Sequence, residues 1–209
     1  MKQILKSTLV LVLITLIAGL SLATVYEVTK DPIAAAEKKA RDDAYRMVMP
    51  NAKGFIAIGK HEESMYPIEA GKGVRINACL TATADQSETD VSTGTEYRVV
   101  GFVVNVTSSN GYGGDITLAV GVLRDGSIQG ISVIAQSETT GLGAVCADKK
   151  FTDQFVGINN WIEYVKTGKT EANQIHAISG ATITTSAVTE AVNVARNFVL
   201  ENCMEGGTD

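Results

Sequence analysis

Two short segments combine glycine with hydroxyl or carboxyl side chains, and these residue types can bind an anionic group. One is 138–143 (ETTGLG) and the other is 179–186 (SGATITTS). Glycine lets a backbone approach a ligand closely, and the free amides at a helix start attract phosphate. The structural alternative is that Thr184, Thr185 or Ser186 caps the following helix while 138–143 forms an ordinary tight loop. The residues alone leave both interpretations open.

Other common site chemistries are absent from the sequence. Neither segment has the lysine of a Walker A loop or the dinucleotide pattern Gly-x-Gly-x-x-Gly, and no Gly-x-Ser-x-Gly occurs. The 2 histidines and 3 cysteines have no metal-binding spacing, so no metal site is predicted. The three cysteines are Cys79, Cys146 and Cys203. Either all three are small core residues or two of them form a disulfide, and the sequence does not show which two would pair.

The elements around the two segments follow from hydrophobic spacing. Residues 116–122 alternate with period two, Asp125-Gly126 predicts a turn, and 128–134 predicts the returning strand of a hairpin. Apolar side chains at 188, 191, 192, 195, 198 and 199 predict an amphipathic helix that packs on a sheet. Strands followed by helices predict an α+β domain.

Further elements are predicted from local composition. Strands are expected at 54–58 and 97–106, helical segments at 149–155 and 160–165, and a Ser-, Thr- and Asp-rich loop at 81–95. A helix over 32–47 is expected to begin at Pro32, with Asp31 as its cap.

The N-terminus contains an uncharged apolar run, 7–25, which as a helix is roughly 28 Å long and approaches the ~30 Å of bilayer hydrocarbon. Lys2 and Lys6 precede this run and Glu27 follows it, so the positive-inside rule predicts a cytoplasmic N-terminus. A cleaved signal peptide is the alternative, because small residues lie near Ala23. The predicted organisation is a cytoplasmic end (1–6), a single transmembrane anchor in the cell (inner) membrane (7–25), a helical connector (26–50) and an extracytoplasmic domain (51–209).

The net charge of the chain indicates which classes of partner are unfavourable. The formal net charge is -5 and both lysines before Glu27 belong to the anchor end, so the exported domain is more acidic than the whole chain. Such a surface repels phosphate backbones, and nucleic-acid binding is not expected.

The segment Ser179-Gly180-Ala181-Thr182 resembles the flavinylation motif of covalent FMN-binding domains. The sequence Gly-Tyr-Gly-Gly at 111–114, the Asp-Gly turn, segment 138–143 and the pair Phe151 and Phe155 occur in the order seen in the G subunit of the Rnf complex. That complex is a membrane-bound, ion-translocating ferredoxin:NAD oxidoreductase. The resemblance covers nearly the whole chain and is specific from about Tyr97, with the core motifs at 97–200; the C subunit of the sodium-pumping NADH:quinone reductase is the related alternative.

The resemblance implies an electron-carrying subunit with FMN held through a phosphoester on Thr182. A separate flavin transferase would attach the FMN from FAD, and the partners would be the other membrane subunits of the complex and, through 7–25, the lipid. Other residues implied in the site are Ser179, Gly180 and Ala181 in the loop read by the transferase, Glu138, Thr139, Leu142 and Gly143 along the flavin, and Thr184 and Thr185 near the phosphate.

One residue departs from the family pattern. The family has aspartate three residues before the serine of the motif, whereas this chain has His176. If that aspartate guides the transferase, His176 makes flavinylation less efficient; if it only caps a turn, little changes. A hypothesis of a different class is an anchored extracytoplasmic binding module without covalent flavin, in which 179–182 only caps a helix.

Overall fold

The computed structural model describes residues 2–58, 67–84 and 98–204 and divides the chain into two compact units, 1–40 and 41–209. The elements are helix α1 (Lys2–Val48), strands β1 (Gly54–Ala57), β2 (Ile68–Glu69), β3 (Val74–Thr83), β4 (Val99–Ser108), β5 (Ile116–Leu123) and β6 (Ile128–Ala135), a 3-10 helix (Gly143–Ala147), α2 (Lys149–Thr152), a 3-10 turn (Asp153–Phe155), β7 (Glu163–Val165), β8 (Gln174–His176), α3 (Thr182–Val199) and a π-helical turn (Leu200–Met204).

The first unit contains the N-terminal part of α1, and its large apolar side chains from Leu9 to Ile33 are exposed. By length and composition this helix is long and apolar enough to cross a membrane. The hydroxyls of Thr8, Thr15, Ser21 and Thr24 donate to carbonyl oxygens one turn earlier in the helix. These polar groups therefore have partners inside the helix, as hydrocarbon surroundings require.

Helix α1 continues through Pro32, so the predicted helix start at this residue is wrong. Proline removes one backbone donor and prefers the first helical turn, but it does not forbid a helix before it. The residues after Pro32 are good helix formers, among them the three alanines at 34–36, and they continue the helix past the missing bond.

The second unit contains an antiparallel sheet in the order β1-β3-β4-β5-β6, with β2 paired to β3. The predicted β5–β6 hairpin is confirmed, and its turn includes Gly126 with a φ of 80°. Strand β1 and the strand predicted at 97–106 are confirmed, the latter as Val99–Ser108; Tyr97 lies outside the described residues. Strand β3 extends into the predicted loop as far as Thr83, and residues 85–95 of that loop lie outside the described part.

The helix predicted at 160–165 is wrong, whereas the one at 149–155 is confirmed as α2 and a 3-10 turn. Residues Glu163–Val165 form β7, which pairs in parallel with β8. The side-chain amide of Asn193 on α3 donates to the carbonyl oxygen of Ile162 and accepts from its amide, both at 2.9 Å. This long-range pair holds the chain extended before β7, and local helical spacing cannot anticipate it.

Both faces of the sheet are covered. Helix α3 packs on one face, where the core includes Phe102, Val104 and Val106 of β4. The last turn of α1 packs on the other face, where Val48 meets Val103. Strands buried on both faces read as continuous apolar runs, as in the sequence of β4. The predicted α+β fold, an antiparallel sheet packed by helices plus an apolar N-terminal helix, is confirmed.

Candidate functional site

Glu138 joins the two segments that the sequence singles out. Its Oε2 accepts a hydrogen bond from the Thr184 hydroxyl at 2.7 Å, and its Oε1 accepts one from the Gly113 amide at 2.9 Å. The side chain is 8% exposed. The carboxylate therefore faces inward and connects the 111–114 loop, the segment after β6 and the first turn of α3. The polar contact of Glu138 with a bound flavin stays a prediction.

The glycines around Glu138 permit this close packing. A Cβ atom on Gly143 would overlap the Glu138 carboxylate and the Thr184 hydroxyl. A Cβ atom on Gly111 would lie 2.8 Å from Glu138 Oε1, and one on Gly113 would overlap the carbonyl of Ser137. The predicted site residue Gly143 is buried. Its absent side chain makes room for protein atoms, so its part in the site is to let the two segments meet.

The turn before α3 exposes the motif residues. Gly180 has a φ of 76°, a left-handed conformation that favours glycine, and both Ser179 and Gly180 are exposed. Ala181 is buried and precedes the helix, and its side chain provides no cap. Thr182, the first residue of α3, is partly exposed, and its hydroxyl forms no hydrogen bond to another described residue. The sequence thus folds into a turn that presents one threonine hydroxyl at a helix start.

Thr184 and Thr185 do not cap the helix, because they lie inside its first turns. Thr185 is fully buried; its hydroxyl donates to the Ala181 carbonyl at 2.9 Å and accepts from the Ile178 amide at 3.0 Å. The Thr184 hydroxyl is buried on Glu138. Both hydroxyls are therefore hydrogen-bonded inside the protein, and a contact of either residue with a phosphate stays a prediction. Their role is to fix the turn in front of Thr182.

The start of α3 is suited to an anion. The helix has 18 residues and no side-chain cap, so the amides of its first turn have neither intrahelical carbonyl partners nor a capping oxygen. These amides and the helix dipole together attract a phosphate group. Gly180 lies close to Leu142, because a Cβ atom there would be 3.2 Å from Leu142 Cδ2, a tighter contact than side chains normally make. The residues present therefore fit the phosphate of a nucleotide cofactor.

An open groove of about 330 Å³ begins at Thr182 and runs along α3. A second groove of about 360 Å³ adjoins it through the shared residues Tyr164, Ser186 and Glu190. Trp161 lines the second groove and is 47% exposed, and Ile183 beside Thr182 is 54% exposed. Partly exposed aromatic and aliphatic side chains beside an anion site suit a flat, apolar ring system such as isoalloxazine.

A lysine at this groove was missed by the sequence analysis. The Lys72 ammonium lies 3.2 Å from Glu190 Oε1 and 6.0 Å from the centroid of the Trp161 ring. Lys72 has a φ of 53°, and it stands between Gly71 and Gly73, which also have positive φ. The pattern Gly-Lys-Gly was the available signal, since two flanking glycines allow a tight turn that projects the lysine.

The remaining predicted residues lie at the surface around the motif. Thr139 is exposed, and Leu142 is 46% exposed and faces Gly180. His176 is exposed at the end of β8, not in a loop; its amide donates to Gln154 Oε1 at 2.7 Å. Among the described residues no group of histidine, cysteine and acidic side chains could hold a metal ion.

The comparisons with known proteins agree with this geometry. Residues 111–197, which contain the 111–114 loop, Glu138 and most of α3, match the FMN-binding domain model. The fold and site thus define an FMN-binding-domain protein with an apolar N-terminal helix, and residues 1–48 match the model of the RnfG N-terminal region.

Full-length relatives extend the match. The G subunit of the Na(+)-translocating ferredoxin:NAD(+) oxidoreductase complex of Acetobacterium woodii is 32% identical over 93% of this chain and 90% of its own length. The G subunit of the ion-translocating oxidoreductase complex of Methanosarcina acetivorans is 30% identical, and the match covers 95% of this chain and 95% of that subunit. The chain belongs to the family of G subunits of Rnf-type ion-translocating oxidoreductase complexes. The resemblance stated from the motifs is therefore confirmed.

Two solved structures share the fold. NqrC of Shewanella oneidensis aligns with a TM-score of 0.56 at 20% identity, over 81% of this chain and 100% of that one. The C subunit of the Na(+)-translocating NADH-quinone reductase of Parabacteroides distasonis aligns with a TM-score of 0.52 at 17% identity, over 85% of this chain and 96% of that one. At these identities the likeness is one of fold.

Proposed function

We propose that this chain carries FMN covalently, through a phosphoester on Thr182, and acts as an electron-carrying subunit of an ion-translocating ferredoxin:NAD oxidoreductase complex. The observation that carries the attachment proposal is the partly exposed Thr182 hydroxyl at the uncapped start of α3. The neighbouring threonine hydroxyls, by contrast, are buried and hydrogen-bonded. The names of the relatives support the role in the complex.

The attachment needs a flavin transferase that uses FAD. The Thr182 oxygen would bond to the FMN phosphorus, the pyrophosphate bond of FAD would break, and AMP would leave. The α3 amides would bind the phosphate, while Leu142, Ile183 and the groove would accommodate the ring. When bound, FMN supplies one- and two-electron transfer. The tether keeps the cofactor in place where no FMN pool would refill an empty site by mass action.

The test is the intact mass of the protein produced together with a flavin transferase. The parent should exceed the polypeptide mass by FMN less one water, and Thr182→Val should lack this increment. Ser186→Ala is the matched control, because Ser186 lies one helical turn further on the same groove and should not affect the increment. An increment that persists in Thr182→Val, or is lost only in Ser186→Ala, contradicts the attachment site.

The role in electron transfer has its own test. A complex assembled with Thr182→Val should keep all of its subunits and lose ferredoxin-dependent NAD reduction. If the flavinylated parent stays outside any complex, or the flavin-free complex transfers electrons at the parent rate, the anchored binding module becomes the better hypothesis. Flavin fluorescence of the denatured polypeptide separates covalent from dissociable flavin in either case.

The proposed topology puts residues 1–6 in the cytoplasm, 7–25 in the cell membrane, and the connector 26–50 and the domain 51–209 outside the cytoplasm. The support is the pair of lysines before the apolar run together with the exposed apolar surface of α1. Protease added to spheroplasts should digest the domain. Digestion only in inverted vesicles would reverse the orientation.

A further inference from the structure

Two of the three cysteines meet in space although 124 positions separate them in the chain. Cys79 lies in β3 with 1% of its surface exposed, and its sulfur is 3.7 Å from that of Cys203. Cys203 lies on the π-helical turn after α3 and is partly exposed. A π-helical turn is rare and often marks a functional position, and here it carries the thiol that contacts the sheet.

We propose that Cys79 and Cys203 form an intramolecular disulfide that ties the C-terminal end of α3 to β3. A disulfide has an S–S length of about 2.05 Å, so the sulfurs must approach each other by roughly 1.7 Å. Cys79 is fixed by the pairing of β3 with β1 and β4. The turn of Cys203 contains no fully buried residue, and its Cys203 and Met204 pack only at the edge of the core, so a small shift can be taken up there.

The two thiols have complementary chemistry. The hydrogen bond with Cys203 raises the pKa of Cys79 well above its ordinary value, and burial adds to the effect. The hydrogen bond from Cys79 lowers the pKa of Cys203. The thiolate is the nucleophile in thiol–disulfide exchange. The more accessible Cys203 is therefore the sulfur that reacts first with an external disulfide.

The exchange balances with a low-molecular-weight or protein disulfide as the oxidant. The Cys203 thiolate attacks one oxidant sulfur, and one thiol of the oxidant leaves. Cys79 then loses its proton and attacks Cys203 in this mixed disulfide, releasing the second oxidant thiol. Two protein thiols are oxidised by two electrons and one oxidant disulfide becomes two thiols. The inference uses the cysteine geometry alone and does not depend on flavin attachment or membrane orientation.

Cys146 is the internal comparison. It is fully buried in the 3-10 helix after Gly143, and burial, followed by Glu138 and Asp148, raises its pKa to about 11. No thiol contact of Cys146 is found in the part of the chain that the structure describes. Cys146 should therefore stay reduced when the other two cysteines are oxidised.

Trypsin separates the three cysteines, because Cys79, Cys146 and Cys203 fall in peptides 76–98, 125–149 and 197–209. The full-length protein in detergent is treated with oxidised glutathione, digested without reductant and analysed by mass spectrometry. The expected product is peptide 76–98 linked to 197–209. The link encloses a long loop, so the oxidised protein should melt roughly 5–15 °C above the reduced protein.

The variants separate the possible outcomes. Cys203→Ser should lose the linked peptide and the response of its melting temperature to reductant, whereas Cys146→Ala should keep both. Cys203 is partly exposed, so its serine variant should fold. A persistent glutathione adduct on Cys203, a link that involves Cys146, or no reaction in a protein that melts cooperatively would overturn the proposal.

Discussion

Replacing Glu138 with alanine should destabilise the domain even when no flavin is present. The change leaves the Gly113 amide and the Thr184 hydroxyl without the carboxylate that accepts their hydrogen bonds. The Thr184 hydroxyl is buried, and losing its partner costs about 1–3 kcal/mol; the Gly113 amide belongs to an exposed residue that water can reach, and it adds about 0.5–1 kcal/mol, for a total of about 2–4 kcal/mol. For a domain of this size that free energy corresponds to a fall in melting temperature of roughly 4–16 °C. Glu138→Gln, which retains two polar atoms, should cost about 1–2 kcal/mol.

A double-mutant cycle measures the contact itself. Apo protein is produced without a flavin transferase, and unfolding in detergent is followed through the fluorescence of Trp161, the only tryptophan in the chain. The costs of Glu138→Ala and Thr184→Val should sum to more than the cost of the double variant, by about 1.5–3 kcal/mol. Thr189→Val is the matched control, because among the described residues its buried hydroxyl donates to the Thr185 carbonyl of its own helix and to no other group.

The refuting result is a coupling free energy below about 0.5 kcal/mol, the level at which independent sites add. A Glu138→Ala variant that unfolds near the parent temperature would likewise show that the carboxylate does not hold the two segments together. If the same variant altered flavin absorbance while leaving the apo stability unchanged, the contact between Glu138 and the flavin that the sequence suggests would become the better account.

Two further changes test how the sheet is covered. Gly121→Ala should destabilise the protein by about 1–3 kcal/mol in urea unfolding, because a Cβ atom there overlaps the backbone at the end of α1. Gly130→Ala at the cross-strand neighbour should cost under about 0.5 kcal/mol, because a Cβ atom there makes ordinary contact. Equal costs for the two variants would contradict this packing. Asn193→Ala should cost about 2–4 kcal/mol of unfolding free energy, because it leaves both backbone groups of Ile162 unpaired. Asn202→Ala, which removes a bond to an exposed helical carbonyl, should be near neutral. Similar costs for the two variants would show that Asn193 does not hold the segment before β7 extended.

Short-range patterns in the sequence were sufficient for much of the fold. The apolar run at 7–25, the period-two strands joined at Asp125-Gly126, and the helical spacing after Thr182 each depend on neighbours within a few residues, and all three elements form. The motif at Ser179 likewise marked the turn that exposes Thr182. Local patterns predict these features because backbone propensity and amphipathic spacing act along the chain itself.

Only the tertiary structure decided which side chains meet. The sequence could not show that Glu138 bonds Thr184 across 46 positions, or that Cys203 and not Cys146 contacts Cys79. It also gave no sign that Asn193 holds the chain before β7 in an extended form. These contacts are set by strand order and by the packing of α3 on the sheet. Residues far apart in sequence meet because of that topology. The spacing of residues within one segment carries no information about which distant segment lies against it.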